Sequence, residues 1–207
     1  MVAIVDYGVG NLFSLKCSLD YIGAKAVVTG DAAVLNAADA VILPGVGAFR
    51  DAAIKLKAGG LDRAVIENAR SGKPLLGICL GMQMLFEKSY EYGGYEGLGL
   101  IPGEIVPLAG YVPDHLKIPQ IGWNALRFTQ NGCPLFRYNQ NGDHVYFVHS
   151  YYAKCGGEYL IADTEYGAPV TAAVAKDNVF GCQFHPEKSG DAGLNILKAF
   201  CEMGETV

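Results

Sequence analysis

The segment Gly77–Gly81 carries a cysteine, Cys79, with one glycine two residues before it and another two residues after it. In this pattern, at a junction from strand to helix, a nucleophile lies on a tight turn that glycines leave uncrowded. Partial positive charge at the start of the helix favours the thiolate. The backbone N–H of Leu80 is then well placed to hold a developing oxyanion. The pattern predicts a nucleophile, although a buried cysteine in a glycine-rich turn would explain the pentapeptide equally well.

A cysteine nucleophile needs a general base, and a histidine supplies one most often. The histidines of the chain are His115, His144, His149 and His185. His185 is the best candidate because Glu187 follows two residues later, and a carboxylate there would fix the tautomer of the imidazole. Taken alone, a loop histidine with an acidic neighbour is ordinary. For His144 and His149 a core or surface role is favoured.

A third glycine-rich segment, Pro44–Gly47, follows another short apolar run. Glycines on both sides of Val46 let that peptide adopt either orientation at low cost. In an open parallel sheet, ligands bind beyond the carboxyl ends of the strands. We therefore expect the strand ends at Pro44, Cys79 and His185 to meet at one crevice.

The elements that must position these residues alternate along the first half of the chain. Apolar runs predict strands over 2–5, 26–28, 40–43 and 74–78. Helical spacing predicts helices over 12–22, over 49–70 with a break at 59–60, and from Cys79 towards 86. These strands are apolar throughout, which indicates a parallel sheet that is covered on both faces.

The second half has a different pattern. Residues 104–174 contain alternating runs, aromatic residues and the turn dipeptides Asn131-Gly132 and Asn141-Gly142, which favour added antiparallel strands. A further strand is predicted over 179–184 and a closing helix over 192–203. The predicted fold is α/β and three-layered: a mostly parallel central sheet, helices on both faces, and added antiparallel strands. We predict one domain over residues 1–207.

Composition excludes several classes of protein. The net charge is −5, which argues against binding nucleic acid or an anionic membrane surface. No apolar run is long enough for a membrane span, and the N-terminus lacks the basic region of a signal peptide. The six scattered cysteines favour reduced thiols and a cytoplasmic protein. No metal-ligand cluster or phosphate-binding loop is present, so we expect no metal and no cofactor.

Two motifs, Gly77–Gln83 and His185–Lys188, together resemble those of the class I (triad) glutamine amidotransferases. Other segments narrow the resemblance to the glutaminase subunits of imidazole glycerol phosphate synthases, which act in histidine biosynthesis. These segments cover residues 6–11, 44–49, 121–124 and 147–151. The resemblance extends over essentially the whole chain.

The resemblance implies hydrolysis of L-glutamine to glutamate and ammonia through a γ-glutamyl thioester. Cys79 would attack the side-chain amide, His185 would transfer protons, and Glu187 would orient His185. The N–H groups of Leu80 and Val46 would hold the oxyanion. The resemblance assigns glutamine binding to Gly45, Gln83, Glu91, Ser150 and Tyr151.

The same resemblance implies a partner chain. In that family the ammonia passes to a cyclase, a (β/α)8 barrel, which makes imidazole glycerol phosphate and an aminoimidazole carboxamide ribotide. A chain of 207 residues is too short to hold a glutaminase and a barrel of roughly 250 residues, so we expect a heterodimer. The candidate residues for the interface are Pro119, Ile121, Trp123 and Lys188. Tryptophan is enriched at interfaces, although a core position would suit Trp123 equally well.

Three alternatives stay open at this point. The chain could serve another synthase, in the synthesis of pyridoxal phosphate, purines or anthranilate. It could be a cysteine hydrolase that acts on peptides, although no peptide groove is evident in the sequence. It could also be a regulatory module without activity, against which the intact Cys79, His185 and Glu187 argue.

Overall fold

The computed structural model describes residues 1–204. Its strands are β1 (Val2–Val5), β2 (Ala26–Thr29), β3 (Ala40–Leu43), β4 (Leu75–Ile78), β5 (Phe86–Ser89), β6 (Tyr95–Glu96), β7 (Ile101–Pro107), β8 (Gln120–Phe128), β9 (His144–His149), β10 (Tyr151–Lys154), β11 (Leu160–Glu165), β12 (Pro169–Lys176) and β13 (Val179–Cys182). Its α-helices are α1 (Leu12–Tyr21), α2 (Ala32–Ala37), α3 (Phe49–Ala58), α4 (Leu61–Arg70), α5 (Leu80–Met84) and α6 (Gly190–Gly204). The predicted domain end at residue 207 lies outside the described residues.

The central sheet has nine strands in the order β2-β1-β3-β4-β13-β12-β11-β8-β9. The first five strands of this order run parallel, and the remaining pairs are antiparallel. A second sheet has the order β10-β7-β5-β6 and shares a hydrophobic cluster with the first. The predicted α/β class is confirmed, and the antiparallel strands of the second half both extend the central sheet and flank it.

Four of the parallel strands, β1, β3, β4 and β13, are buried on both faces, as their unbroken apolar runs require, and the edge strand β2 is partly buried. Because side chains alternate along a strand, Ile4 points into a cluster with helices α1 and α6, whereas Val5 points into a cluster with α2, α3 and α4. Leu19 of α1 and Phe200 of α6 fill the first cluster, and both are fully buried. The prediction of helices on both faces is thereby confirmed.

Three predicted boundaries differ from the structure by two residues. The helix after Cys79 ends at Met84 instead of continuing towards 86, because the chain turns there to pair with 98–101. The carbonyl of Met84 accepts a hydrogen bond from the N–H of Leu98 at 2.8 Å. Strand β13 ends at Cys182, two residues earlier than predicted, and α6 begins two residues earlier than predicted.

The longest helix of the described residues is α6, with 15 residues. A helix that crosses a bilayer needs about 20 apolar residues. Within residues 1–204, no helix combines the length and the apolar character that such a crossing requires.

Candidate active site

The carboxyl ends of three neighbouring strands meet at one cavity. Val46 follows β3, Cys79 follows β4 and His185 follows β13, and these strands are adjacent in the sheet. The cavity has a volume of about 290 Å³. Its lining residues are Val46, Gly47, Cys79, Leu80, Gln83, Glu91, Pro119, Val148, His149, Ser150, Tyr151 and His185. The predicted crevice is present, with the predicted nucleophile and base inside it.

Cys79 lies on a strained turn between β4 and α5, with φ +54° and ψ −110°. A positive φ is costly for a residue with a side chain, and close packing of the two flanking glycines holds it in place. A Cβ on Gly81 would lie 1.8 Å from the Leu43 carbonyl oxygen, and a Cβ on Gly77 would lie 2.7 Å from the Met82 backbone. The turn therefore requires glycine on both sides of the nucleophile, for the close approach of backbone that the sequence pattern predicts.

His185 is buried between Cys79 and Glu187. Its Nδ1 lies 2.8 Å from Glu187 Oε1, and His185 lines the cavity together with Cys79. Burial lowers the pKa of His185, but the hydrogen bonds and negative charges of Cys79 and Glu187 outweigh it and raise the pKa to about 9. The turn is fixed to β9 because the His185 N–H donates to the Tyr146 carbonyl at 3.0 Å. This arrangement suits a thiolate–imidazolium pair.

Leu80 and Val46 lie on either side of the nucleophile. Leu80 is the first residue of α5, so its backbone N–H has no partner within the helix. Val46 is 41% exposed and precedes Gly47, which has φ +96°. Gly45 is buried outside the cavity lining, and a Cβ there would lie 2.8 Å from the Gly81 backbone nitrogen. Gly45 therefore lets the end of β3 approach the Cys79 turn closely.

The other predicted binding residues also lie at the cavity. Gln83, Glu91, Ser150 and Tyr151 all line the cavity. Gln83 Nε2 donates to the Tyr151 carbonyl at 3.1 Å, and Glu91 Oε2 accepts the Phe49 N–H at 2.5 Å. The Glu91 carboxylate thus faces the cavity and also caps the start of α3.

The model of the family described as glutamine amidotransferase class-I matches residues 3–203 of this chain. The chain belongs to the class I glutamine amidotransferases. The resemblance predicted from the Cys79 and His185 motifs is therefore confirmed at the level of the family.

Several named relatives of this amidotransferase cover it almost completely. The imidazole glycerol phosphate synthase subunit HisH of Caldanaerobacter subterraneus subsp. tengcongensis is 50% identical over 205 residues, covering 98% of both chains. The subunit of the same name from Wolinella succinogenes is 49% identical over 206 residues, covering 99% of this chain and 100% of that one.

Solved structures share the fold of this amidotransferase. A crystal structure of a glutamine amidotransferase has a TM-score of 0.77 at 19% identity and covers 99% of this chain and 100% of its own. PurLQS from Thermotoga maritima has a TM-score of 0.72 at 20% identity, covering 98% and 97%. At these identities the likeness supports the fold alone.

Two buried polar residues of the amidotransferase site were not predicted from its sequence. His149 lines the cavity, and its Nδ1 lies 2.8 Å from the Tyr151 carbonyl oxygen. Burial lowers the pKa of His149 to about 4, aided by the nearby charge of His185 and opposed by the hydrogen bond to Tyr151. Gln183 is fully buried beside Cys79. The sequence signal that could have found both is a polar residue where a strand ends: His149 ends β9, and Gln183 directly follows β13.

The predicted interface residues of the amidotransferase lie beside the cavity. Pro119 lines it, and Ile121 and Trp123 on β8 are 60% and 54% exposed, so Trp123 is not a core residue. The Trp123 ring meets the ring of Tyr146 edge-on at 6.1 Å, and Lys188 Nζ lies 5.9 Å from the centre of the Tyr146 ring. The remaining predicted candidates, His115 and His144, are exposed and lie outside the cavity lining.

Proposed function

We propose that this amidotransferase hydrolyses L-glutamine as the glutaminase subunit of an imidazole glycerol phosphate synthase. The observation that carries the proposal is the convergence of Cys79 and His185 at one cavity, with Glu187 hydrogen-bonded to His185. Relatives of about 50% identity that carry this name support the choice of synthase. The reaction takes place in the cytoplasm, in one glutaminase domain, without a metal or a cofactor.

The first half of the reaction forms a thioester. The Cys79 sulfur attacks the carboxamide carbon of glutamine, and the carbonyl electrons move onto the oxygen. The N–H groups of Leu80 and Val46 stabilise that oxyanion. The protonated His185 then donates its proton to the amide nitrogen, the carbon–nitrogen bond breaks, and ammonia leaves.

The second half hydrolyses the γ-glutamyl thioester. The now neutral His185 removes a proton from water, and the oxygen of that water attacks the thioester carbon. The tetrahedral intermediate collapses, the carbon–sulfur bond breaks, and the sulfur leaves as a thiolate beside the protonated His185. Glu187 keeps the imidazole in the tautomer and orientation that both halves need.

The cavity wall provides the groups that select glutamine. The Glu91 carboxylate and the side-chain oxygen of Gln83 face the α-ammonium group of the substrate. Main-chain groups of Ser150 and Tyr151 bind its polar end. Gly45 contributes by letting the oxyanion segment approach closely. Charge-assisted hydrogen bonds of this kind orient a small polar substrate in a largely enclosed site.

Ammonia passes from this chain to a cyclase subunit that is a (β/α)8 barrel. The product of that cyclase is imidazole glycerol phosphate, formed together with an aminoimidazole carboxamide ribotide. Pro119, Ile121, Trp123 and Lys188 form the contact face of the heterodimer. An exposed tryptophan next to an exposed isoleucine is typical of an interface hot spot.

The test is glutamate release by the wild type and by Cys79→Ala, each with and without the cyclase and its nucleotide ligand. We expect low basal hydrolysis, because the peptide of Val46 is free to turn its carbonyl towards the site, and a missing oxyanion donor costs roughly 100- to 1,000-fold. Binding of the cyclase with its ligand should restore the missing oxyanion donor and so recover this loss in rate. Stimulation by a different synthase chain, and none by this cyclase, would refute the assignment.

A matched control is Cys17→Ala, which removes an exposed thiol on α1 far from the cavity. This variant should hydrolyse glutamine as the wild type does, with and without the cyclase. If Cys17→Ala lost as much activity as Cys79→Ala, the loss in Cys79→Ala would not identify Cys79 as the nucleophile.

A further inference from the structure

Two buried side-chain amides, hydrogen-bonded in series, link a main-chain carbonyl to the nucleophile. Gln83 Nε2 donates to the Tyr151 carbonyl at 3.1 Å and to Gln183 Oε1 at 3.0 Å. Gln183 Nε2 in turn lies 3.7 Å from Cys79 Sγ, at hydrogen-bond distance for sulfur. Gln183 is fully buried and Gln83 nearly so. The thiolate thus has an amide donor on the side of β13, in addition to His185.

The direction of donation in this series of hydrogen bonds is fixed at Tyr151. A main-chain carbonyl can only accept, so the amide of Gln83 must turn its nitrogen towards Tyr151. The same nitrogen has a second hydrogen, which requires the oxygen of Gln183 to face Gln83. The nitrogen of Gln183 must then face Cys79. Reversing either amide would bring two acceptors or two donors together inside the protein.

We propose that Gln183 is a catalytic residue that donates an N–H to the Cys79 sulfur, and that Gln83, held by the Tyr151 carbonyl, is the positioning residue that keeps this donor turned towards the sulfur. The proposal rests on the proposed function, because it concerns the nucleophile of that reaction. The donor stabilises the thiolate before attack. It acts again when the thioester collapses and the sulfur regains its negative charge.

The magnitude follows from the kind of hydrogen bond. A bond from a neutral donor to a buried charge shifts the equilibrium of that charge about tenfold, or about one pKa unit. Loss of the donor should therefore raise the apparent pKa for thiolate formation by about one unit. At pH values below the midpoint of this titration, the thiolate fraction, and with it the rate of alkylation, should fall up to about tenfold.

The experiment follows alkylation of Cys79 by iodoacetamide as a function of pH, with mass spectrometry of the peptide that contains Cys79. The full chain is compared with Gln183→Met, which keeps the size of the side chain and removes the amide, and with Gln183→Glu. We expect the midpoint of the alkylation profile to rise by about one unit in Gln183→Met and further in Gln183→Glu. A wild-type profile in both variants would overturn the proposal.

Asn68→Leu is the matched control, because Asn68 is a buried amide on α4 that bonds Asn36 and lies outside the cavity lining. It should lose stability without moving the alkylation profile. A shift as large as that of Gln183→Met would mean that loosening of the fold, and not the donor, controls the thiol. Should Gln183→Met not fold, Gln183→Glu decides, because its oxygen still accepts from Gln83.

The positioning role is tested by Gln83→Met, alone and combined with Gln183→Met. Without Gln83 the Gln183 amide is free to rotate, so the midpoint should rise by part of one unit. The double variant should match Gln183→Met, because the donor is already absent. Equal and additive shifts would overturn the role of Gln83.

Glutamate release is measured in parallel, and it distinguishes a failure of the Gln183 donor from a failure of the proposed function. Iodoacetamide alkylates the Cys79 thiol whether or not the protein hydrolyses glutamine. The alkylation profile therefore tests the donor by itself. A wild type that releases glutamate while Gln183→Met shows no shift would refute the donor alone. A wild type with no glutaminase activity under any partner would refute the proposed function instead.

Discussion

The parallel and the antiparallel parts of the molecule contribute different groups to the same cavity. The parallel strands β3, β4 and β13 end in the oxyanion segment, the nucleophile and the base. The antiparallel strands β8, β9 and β10 and the loop after β5 contribute Pro119, Ser150, Tyr151 and Glu91. The reacting groups therefore follow strands that are buried on both faces, whereas Pro119, Ser150, Tyr151 and Glu91 lie on or beside strands that are partly exposed.

The two histidines of the cavity show the same division. Burial lowers the pKa of both rings, but His185, on the parallel side, has Cys79 and Glu187 as negative partners, and its pKa rises to about 9. His149, on the antiparallel side, has the Tyr151 carbonyl as its hydrogen-bond partner and the like charge of His185 nearby, and its pKa falls to about 4. One imidazole is thus prepared to carry a proton and the other to remain neutral. Both rings are buried, and their partners differ in charge.

The largest effect is expected on the parallel side, from removal of the nucleophile. Cys79→Ala should lower glutamate release at least about 10⁴-fold, because no other group in the cavity can form the thioester. A stopped assay of glutamate, with the unfolding midpoint measured beside it, checks this. Activity within tenfold of the wild type would contradict the assignment of Cys79.

The next effect concerns the orientation of the base. Glu187→Gln keeps the size of the side chain but removes the charge that holds His185 Nδ1, so glutamate release should fall roughly 10²- to 10⁴-fold. The comparison is with Glu67→Gln, an exposed carboxylate on α4. Equal activities of the two variants would show that Glu187 does not orient the base.

A smaller effect is expected on the antiparallel side, in the pH dependence of stability. The folded pKa of His149 is about 4 and the unfolded value is about 6.5, so the unfolded chain binds more protons between these pH values. The stability that neutral His149 contributes is present above pH 6.5 and is lost as the pH falls to about 4. Relative to His149→Gln, the wild type should lose up to about 3 kcal/mol of unfolding free energy over this range.

Urea unfolding at pH 6.5, 5.5 and 4.5 measures this difference. His144→Gln is the matched control, since His144 lies on the same strand but is exposed. It should follow the wild type at every pH. If the unfolding free energy of all three proteins changed with pH in the same way, His149 would titrate normally. The contrast between His149 and His185 would then be lost.

The smallest effect on the isolated chain is expected from the exposed part of the antiparallel side. Trp123→Ala should change the free energy of unfolding by less than about 0.5 kcal/mol and leave basal glutamate release within about twofold. Its affinity for the cyclase should fall at least about tenfold, measured by titration calorimetry. Tyr21→Ala, an 80% exposed aromatic at the far end of α1, should leave the affinity unchanged. Equal affinities of the two variants would remove Trp123 from the interface.

The parallel side was predictable from the sequence because its information is local. The glycines around Cys79, the link from His185 to Glu187, and the apolar runs before them are each contained in a few residues. The buried environment of His149 and the contact from Gln183 to the sulfur were not predictable. Both depend on strands that pair across long stretches of chain, and an isolated polar residue in an apolar run carries no sign of its partner.

The strand order of the second sheet and the cap that Glu91 provides for α3 were not predicted, for the same reason. Strand β7 lies between β5 and β10, although β5 and β10 are more than 60 residues apart in the chain. Alternating patterns predict that such strands exist but do not specify their order. The position of Glu91 follows from that order, since the loop after β5 brings its carboxylate to the Phe49 N–H.

The main-chain oxygen of Tyr151 accepts hydrogen bonds from Gln83 and His149, and through Gln83 it sets the direction of Gln183. No side-chain substitution deletes this atom, so a complete mutational scan would pass over the group on which three polar side chains depend. Its contribution is accessible only by changing the backbone itself. An ester bond between residues 151 and 152, made by semisynthesis, would weaken this acceptor while leaving every side chain as encoded.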